Sequence, residues 1–166
     1  MTKRYLEDFA AGQTFGSGRV RVDRERIKTF AAEFDPQPFH LDEAAARDTI
    51  FRGLAASGSH TAALTTRLLV DSEFKPAGGI VGAGFEELRW PLPVRPGDEL
   101  RVESEVLEVR PSKSHPQQGL IKVRITTLNQ NGEAVQVFVA NLIVPRRSAE
   151  YLRQQHGCGP ATANRR

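Results

Sequence analysis

The sequence predicts an α+β domain in which one antiparallel sheet of about five strands wraps a long central helix, with short extra helices beside it. Three observations predict it. One strand-like segment is followed by three helical ones and then by four strand-like ones. The third helical segment is poor in charge over three turns, as a buried helix is. The last two strand-like segments are separated by Asn131-Gly132, a tight-turn signal, because both residue types tolerate positive φ.

Taken in order, "GQTFGSGRVRV" alternates toward its end and is bounded by glycines, so it reads as a strand. In "DRERIKTFAAEF", Asp23 suits an N-cap and Ile27, Phe30, Ala31 and Phe34 recur at helical spacing. That helix must stop at Pro36, because a proline disfavours helical angles at the preceding residue, Asp35. A short helix is expected through "LDEAAARD", capped by Asp42. The charge-poor helix lies in "SGSHTAALTTRLLVDSEF", with Ser57 or Ser59 as its cap. The strands "GIVGAGFEELRW", "DELRVESEVLEV", "GLIKVRITTLN" and "EAVQVFVANLIV" then follow, expected as a four-stranded meander.

The chain has 166 residues, enough for one domain over 1–147; residues 148–166 are expected as a short helix and a disordered tail. The net charge of +3 is concentrated at the ends, and no basic run is interleaved with aromatics, so nucleic acid is not an expected partner. The longest apolar stretch, "AVQVFVANLIV", is broken by Gln136 and Asn141 and is too short to span a bilayer. No membrane partner and a cytoplasmic location are expected. The single cysteine, Cys158, excludes an intrachain disulfide, and the histidines have no metal-ligand spacing, so no metal and no cofactor are expected.

The informative stretch is "FDPQPFHLDEAAA". A turn needs its prolines but not Asp35 and His40. Two fixed φ angles stiffen the loop, and the pair joins a carboxylate to a group that titrates near neutrality. General acid–base work on a water molecule needs that combination. Phe34, Phe39 and Leu41 add apolar surface around it. The structural alternative is a helix stop at Asp35, a proline turn and a half-buried His40.

Asp35, Gln37, Pro38, Phe39 and His40 have the spacing of the hydratase motif of the MaoC-like dehydratases, the (R)-specific enoyl-CoA hydratases, which this sequence resembles from about Tyr5 to Arg147. "GAGFEELRWPLPVRPGDELRVESEV" resembles a second signature of that family. The departure is Gln37, where the better-studied hydratases carry asparagine; the amide is kept and lengthened by one methylene. The resemblance implies a hotdog fold and reversible hydration of an α,β-unsaturated acyl-CoA to an (R)-3-hydroxyacyl-CoA. It implies Asp35 and His40 as the acid–base pair on one water and Gly58 N–H as donor to the thioester oxygen. Gln37, Ser57, Thr66 and His60 are the candidate substrate contacts; Thr66 rests on an ungapped count from His40. Gly58 could instead permit close packing at a helix start, and His60 could be a core residue. Leu64, Phe74, Phe85 and Trp90 are candidates for the pocket lining.

An acyl-CoA thioester is therefore the expected ligand and a homodimer the expected assembly, since a lone sheet would leave an open edge and a half-covered helix. Two other activities suit such a fold. A thioesterase would need a carboxylate on the central helix, which has none before Asp71. A non-catalytic acyl-CoA or acyl-carrier binding module would bind without turnover.

Overall fold

The computed structural model describes residues 3–147; the expectations for the C-terminal extension and Cys158 lie outside the described residues. After a short 3₁₀ turn at Leu6–Asp8 come β1 (Thr14–Arg21), α1 (Arg24–Phe34), α2 (Pro38–Leu41), α3 (Glu43–Arg47) and α4 (Gly58–Asp71). Then follow β2 (Val81–Arg89), β3 (Glu99–Pro111), β4 (Gln118–Leu128) and β5 (Ala134–Pro145). The five strands form one antiparallel sheet in the order β1-β3-β4-β5-β2, with α4 against its inner face. This is the hotdog arrangement.

The helix caps follow from the sequence. Asp23 accepts from Arg26 N–H and Asp42 from Ala45 N–H, satisfying donors that a helix start leaves open. The core follows strand alternation: Leu100, Val102 and Val106 of β3 and Ile121, Val123 and Ile125 of β4 all point inward and are essentially inaccessible. They meet Leu68 and Leu69 of α4. Truncating one such residue, Ile125→Ala for example, should cost about 2–5 kcal/mol, because transfer and cavity terms add. Phe9, Phe15 and Phe74 close one end of the core with ring centroids 5.3–6.1 Å apart.

Four expectations need correction. The last four strands are not a simple meander: β3, β4 and β5 are, but β2 pairs with β5 and lies at the far edge from β1. Periodicity marks strands but not which edge each one joins. The Asn131-Gly132 turn needs positive φ only at Gly132 (φ 76°); Gly132 N–H donates to Asn129 O at 3.0 Å, closing a four-residue turn before β5. His40 does not sit in a loop: Pro38 starts the one-turn helix α2, a favoured place for proline because that N–H would have no partner. Finally, α4 is covered on one side only. His60, Thr61, Thr65, Leu68 and Leu69 are buried, whereas Val70 is 49% exposed.

Candidate active site

Three chain segments converge at the start of α4. Asp35 is the C-cap of α1, its extended φ of −152° turning the chain out of the helix while its N–H still donates to Ala31 O. Five residues on, α2 presents His40, 4% exposed. Ser57 caps α4, its Oγ accepting from Ser59 N–H at 3.2 Å.

Asp35 is held by two donors. Ser57 Oγ–H reaches Oδ2 at 2.6 Å and Gln37 Nε2–H reaches Oδ1 at 2.7 Å. These bonds, Ser57 first and then Gln37, with a further contribution from the nearby His40, hold the carboxyl below the usual aspartate range, so it is ionised at neutral pH. The longer amide of Gln37 thus still reaches the carboxylate, and that bond turns it toward Asp35.

His40 Nε2 stands 3.4 Å from Asp35 Oδ2. Its Nδ1 is 2.7 Å from Ala55 O, and since a carbonyl only accepts, Nδ1 carries a proton. In the neutral ring Nε2 then presents a lone pair. Oδ2 and Nε2 are both acceptors on one wall, and a molecule donating two hydrogens, such as water, suits both.

The scaffold around the pair is rigid. Ala55 N–H donates to Phe39 O and Ala56 N–H to Val94 O. Arg95 donates from Nη1 to Gly53 O at 2.9 Å and Leu54 O at 3.2 Å, and from Nη2 to Phe51 O. One guanidinium thereby ties down the segment that carries Ala55 and leads into Ser57. The Phe39 ring meets His40 edge-on at 4.6 Å.

A cavity of about 340 Å³ opens over this cluster, with Asp35, His40, Ser57 and Gly58 at one end. Phe51, Trp90, Leu92, Pro93 and Val94 form a largely apolar wall, of which only Trp90 was among the expected lining residues. Gly58 occupies the first position of α4, where its N–H has no intrahelical acceptor. It also allows a close approach: a Cβ there would lie 2.8 Å from Trp90 Cε2. Both sequence-based explanations of this glycine therefore have a physical basis.

Other expected residues lie elsewhere. Thr66 is exposed and bonds back to Ala62 O, outside the cavity lining of this single chain; the hydroxyl residues of α4 and its cap that line the cavity are Ser57, Ser59 and Thr61. His60 faces the opposite side, stacked on Phe30 with ring centroids 4.7 Å apart and planes 9° from parallel. There it lines a separate groove with Arg26 and Phe34, and its Nδ1 is buried without a hydrogen-bond partner. Burial, and secondarily the charge of Arg26, lower its pKa below the usual 6.5. Phe74 is sealed in the aromatic cluster, Phe85 lies on the exposed strand β2, and Leu64 packs against the core. His115 is exposed, and His156 lies outside the described residues. Sequence reasoning missed Arg95 and Phe51 because their work is done through backbone carbonyls and ring contacts that no motif encodes. Among the described residues no three His, Cys, Asp or Glu side chains gather as a metal-ligand set. No helix among them is long and apolar enough to cross a membrane.

Comparison with known proteins agrees with this fold. The family model described as MaoC like domain matches residues 8–129. A crystal structure of the MaoC-like dehydratase from Rhodospirillum rubrum is 57% identical, with a TM-score of 0.84 over 87% of this chain and 99% of that one. The (R)-hydratase from A. caviae involved in PHA biosynthesis is 28% identical, with a TM-score of 0.68 over 84% and 99% of the two chains. Mesaconyl-CoA hydratase of Cereibacter sphaeroides is 41% identical over 147 residues, covering 87% of this chain but 42% of that protein.

Proposed function

The chain belongs to the MaoC-like dehydratase family, and from that premise we propose that it reversibly hydrates an α,β-unsaturated acyl-CoA thioester to the (R)-3-hydroxyacyl-CoA. The observation that carries this is the pair of acceptors Asp35 Oδ2 and His40 Nε2, 3.4 Å apart in a cavity beside a helix start. A water donating one hydrogen to each would turn a lone pair toward the β-carbon of the enoyl group. As that oxygen bonds to the β-carbon, the pair takes up a water proton and the α-carbon receives one, so the elements of water are added and nothing else is consumed. Negative charge that develops on the thioester oxygen meets Gly58 N–H and the positive end of α4. Donors of this kind contribute roughly 10²–10³ in rate, and positioned acid–base groups roughly 10²–10⁴.

The carboxylate is fixed as an acceptor by its Ser57 and Gln37 bonds, and the imidazole by its bond to Ala55 O, so the geometry exists before substrate arrives. A thioesterase reading loses its acid: Asp71, at the far end of α4, is exposed and paired with Arg67 at 2.6 Å. The test is hydration of crotonyl-CoA and longer enoyl-CoAs, followed by loss of the conjugated absorbance. Turnover that is absent, or that survives in both Asp35→Ala and His40→Ala, overturns the proposal; stabilisation by CoA esters without turnover would make the protein a binding module.

The same proposal includes a homodimer formed through β2. Eight of its nine residues are exposed, among them Val81 at 47% and Phe85 at 64%. An open, partly apolar edge of this kind is a template for pairing with another strand. A second copy on it would also cover apolar surface; a monomeric mass in solution at micromolar concentration would refute the assembly.

A further inference from the structure

We infer that the buried Gln136–Thr65 network, with the half-exposed Trp90 indole that it anchors in the cavity wall, bounds the site cavity beyond Thr61, so that the enzyme takes only short acyl groups; this rests on the hydratase reading above. The cavity reaches Thr61 on α4 and goes no deeper among its lining residues. One turn further along α4 is Thr65, and there the space between helix and sheet is filled by a polar network instead of alkyl side chains. Trp90 Nε1–H donates to Gln136 Oε1 at 2.9 Å, and Gln136 Nε2–H donates to Thr65 Oγ1 at 3.2 Å. Thr65 spends its own hydroxyl proton on Thr61 O at 2.8 Å, so the 2.6 Å bond to Thr127 must be donated by Thr127. Gln136, Thr65 and Thr127 are at most 1% exposed.

Proton counting thus makes the network directional. Thr65 accepts twice and donates once, and neither Gln136 nor Thr65 could yield to an alkyl chain without leaving buried polar groups unpaired. The indole is the network's outer end. Its ring lies against Gly58, at the distances that would bring a Cβ there to 2.8–3.2 Å of three ring atoms. A register shift between Glu86 and Arg89, with Glu87 at a φ of 56°, bends the end of β2 just before Trp90 leaves the sheet toward that contact. A long acyl chain needs a path between α4 and the sheet, and that path is where the indole, the amide and the two hydroxyls stand.

The test is kcat/KM for crotonyl-, hexenoyl- and octenoyl-CoA with wild type, Trp90→Ala and Gln136→Leu, alongside the melting temperature of each. Wild type should prefer the four-carbon substrate by at least about tenfold over the eight-carbon one, since one methylene in a pocket is worth roughly 10–200-fold. Trp90→Ala should shift that ratio toward octenoyl-CoA by about tenfold or more. Gln136→Leu, which keeps the indole but removes its acceptor, should shift it the same way by less. An unchanged ratio in both variants, or a wild type that prefers octenoyl-CoA, overturns the inference while leaving the hydratase reading intact. If Trp90→Ala does not fold, the wild-type profile and Gln136→Leu decide alone. A wild type that hydrates none of the three substrates would instead overturn the hydratase reading itself.

Discussion

Two buried histidines twenty residues apart in the sequence are held in opposite ways. His40 has its tautomer fixed, Nδ1 donating to a carbonyl while Nε2 stands 3.4 Å from a carboxylate oxygen, and a clamped backbone segment lies behind it. His60, equally inaccessible, stacks on Phe30 and leaves Nδ1 without a partner. The first is oriented by directional bonds and the second by burial alone. A fixed tautomer and a charged neighbour can move a proton on demand; a buried ring stacked on Phe30 beside Arg26 contributes packing and is biased toward its neutral form.

The sharpest way to break the contrast is to exchange its terms. Asp35→Asn and His40→Ala should each lower kcat by roughly 10²–10⁴, whereas His60→Phe should leave kcat within about twofold; equal losses at His40 and His60 in single-turnover kinetics would erase the distinction. Next in size is the clamp. Arg95→Leu frees the carbonyls of Phe51, Gly53 and Leu54, and a displacement of about 1 Å at His40 can cost up to roughly 10²-fold in kcat. The loss should fall on kcat with a changed pH–rate profile, and a profile identical to wild type would show that Arg95 serves stability only.

Ser57→Ala should act on both activity and stability. It removes the first cause of the lowered Asp35 pKa and the cap of α4, costing about 1 kcal/mol by denaturant unfolding. A lowered carboxylate pKa contributes stability above its unfolded value, near 3.8, that is lost as pH falls through the folded one. The variant should therefore lose less stability than wild type on going to pH 3, because part of that contribution is already gone.

The smallest effect belongs to His60. Its folded pKa lies below the unfolded 6.5, so the unfolded chain binds the extra proton first and stability declines as pH falls below about 6.5. His60→Phe should flatten the fall in melting temperature between pH 7.5 and 5.5. An unchanged slope would mean that His60 titrates as it does in the unfolded chain.

Much of this was legible in the sequence. Helix caps at Asp23, Asp42 and Ser57 are local, since a side-chain oxygen meets an N–H two or three residues on. The five strands were legible from alternation, and Asp35 and His40 from a spacing that resembles a known motif. Thr66 lies outside the cavity lining, since helical phase, not residue count, decides which hydroxyl of α4 faces it. The place of β2 was missed because edge pairing joins residues far apart in the chain, Val81 with Ile143 for example.

By itself, then, the sequence determined the order of elements, set by short-range sterics and by patterns of period two or 3.6, and it marked Asp35 and His40 through a spacing that resembles a known motif. Only the tertiary structure decided the rest. It brought Ser57 and Gln37 onto one carboxylate and Ala55 O onto one imidazole, and it set Trp90 against Gly58 with Gln136 behind it. Apart from the Gln37–Asp35 bond, which spans two residues, those contacts depend on three-dimensional distances among segments that the chain itself keeps apart, and no local pattern records them.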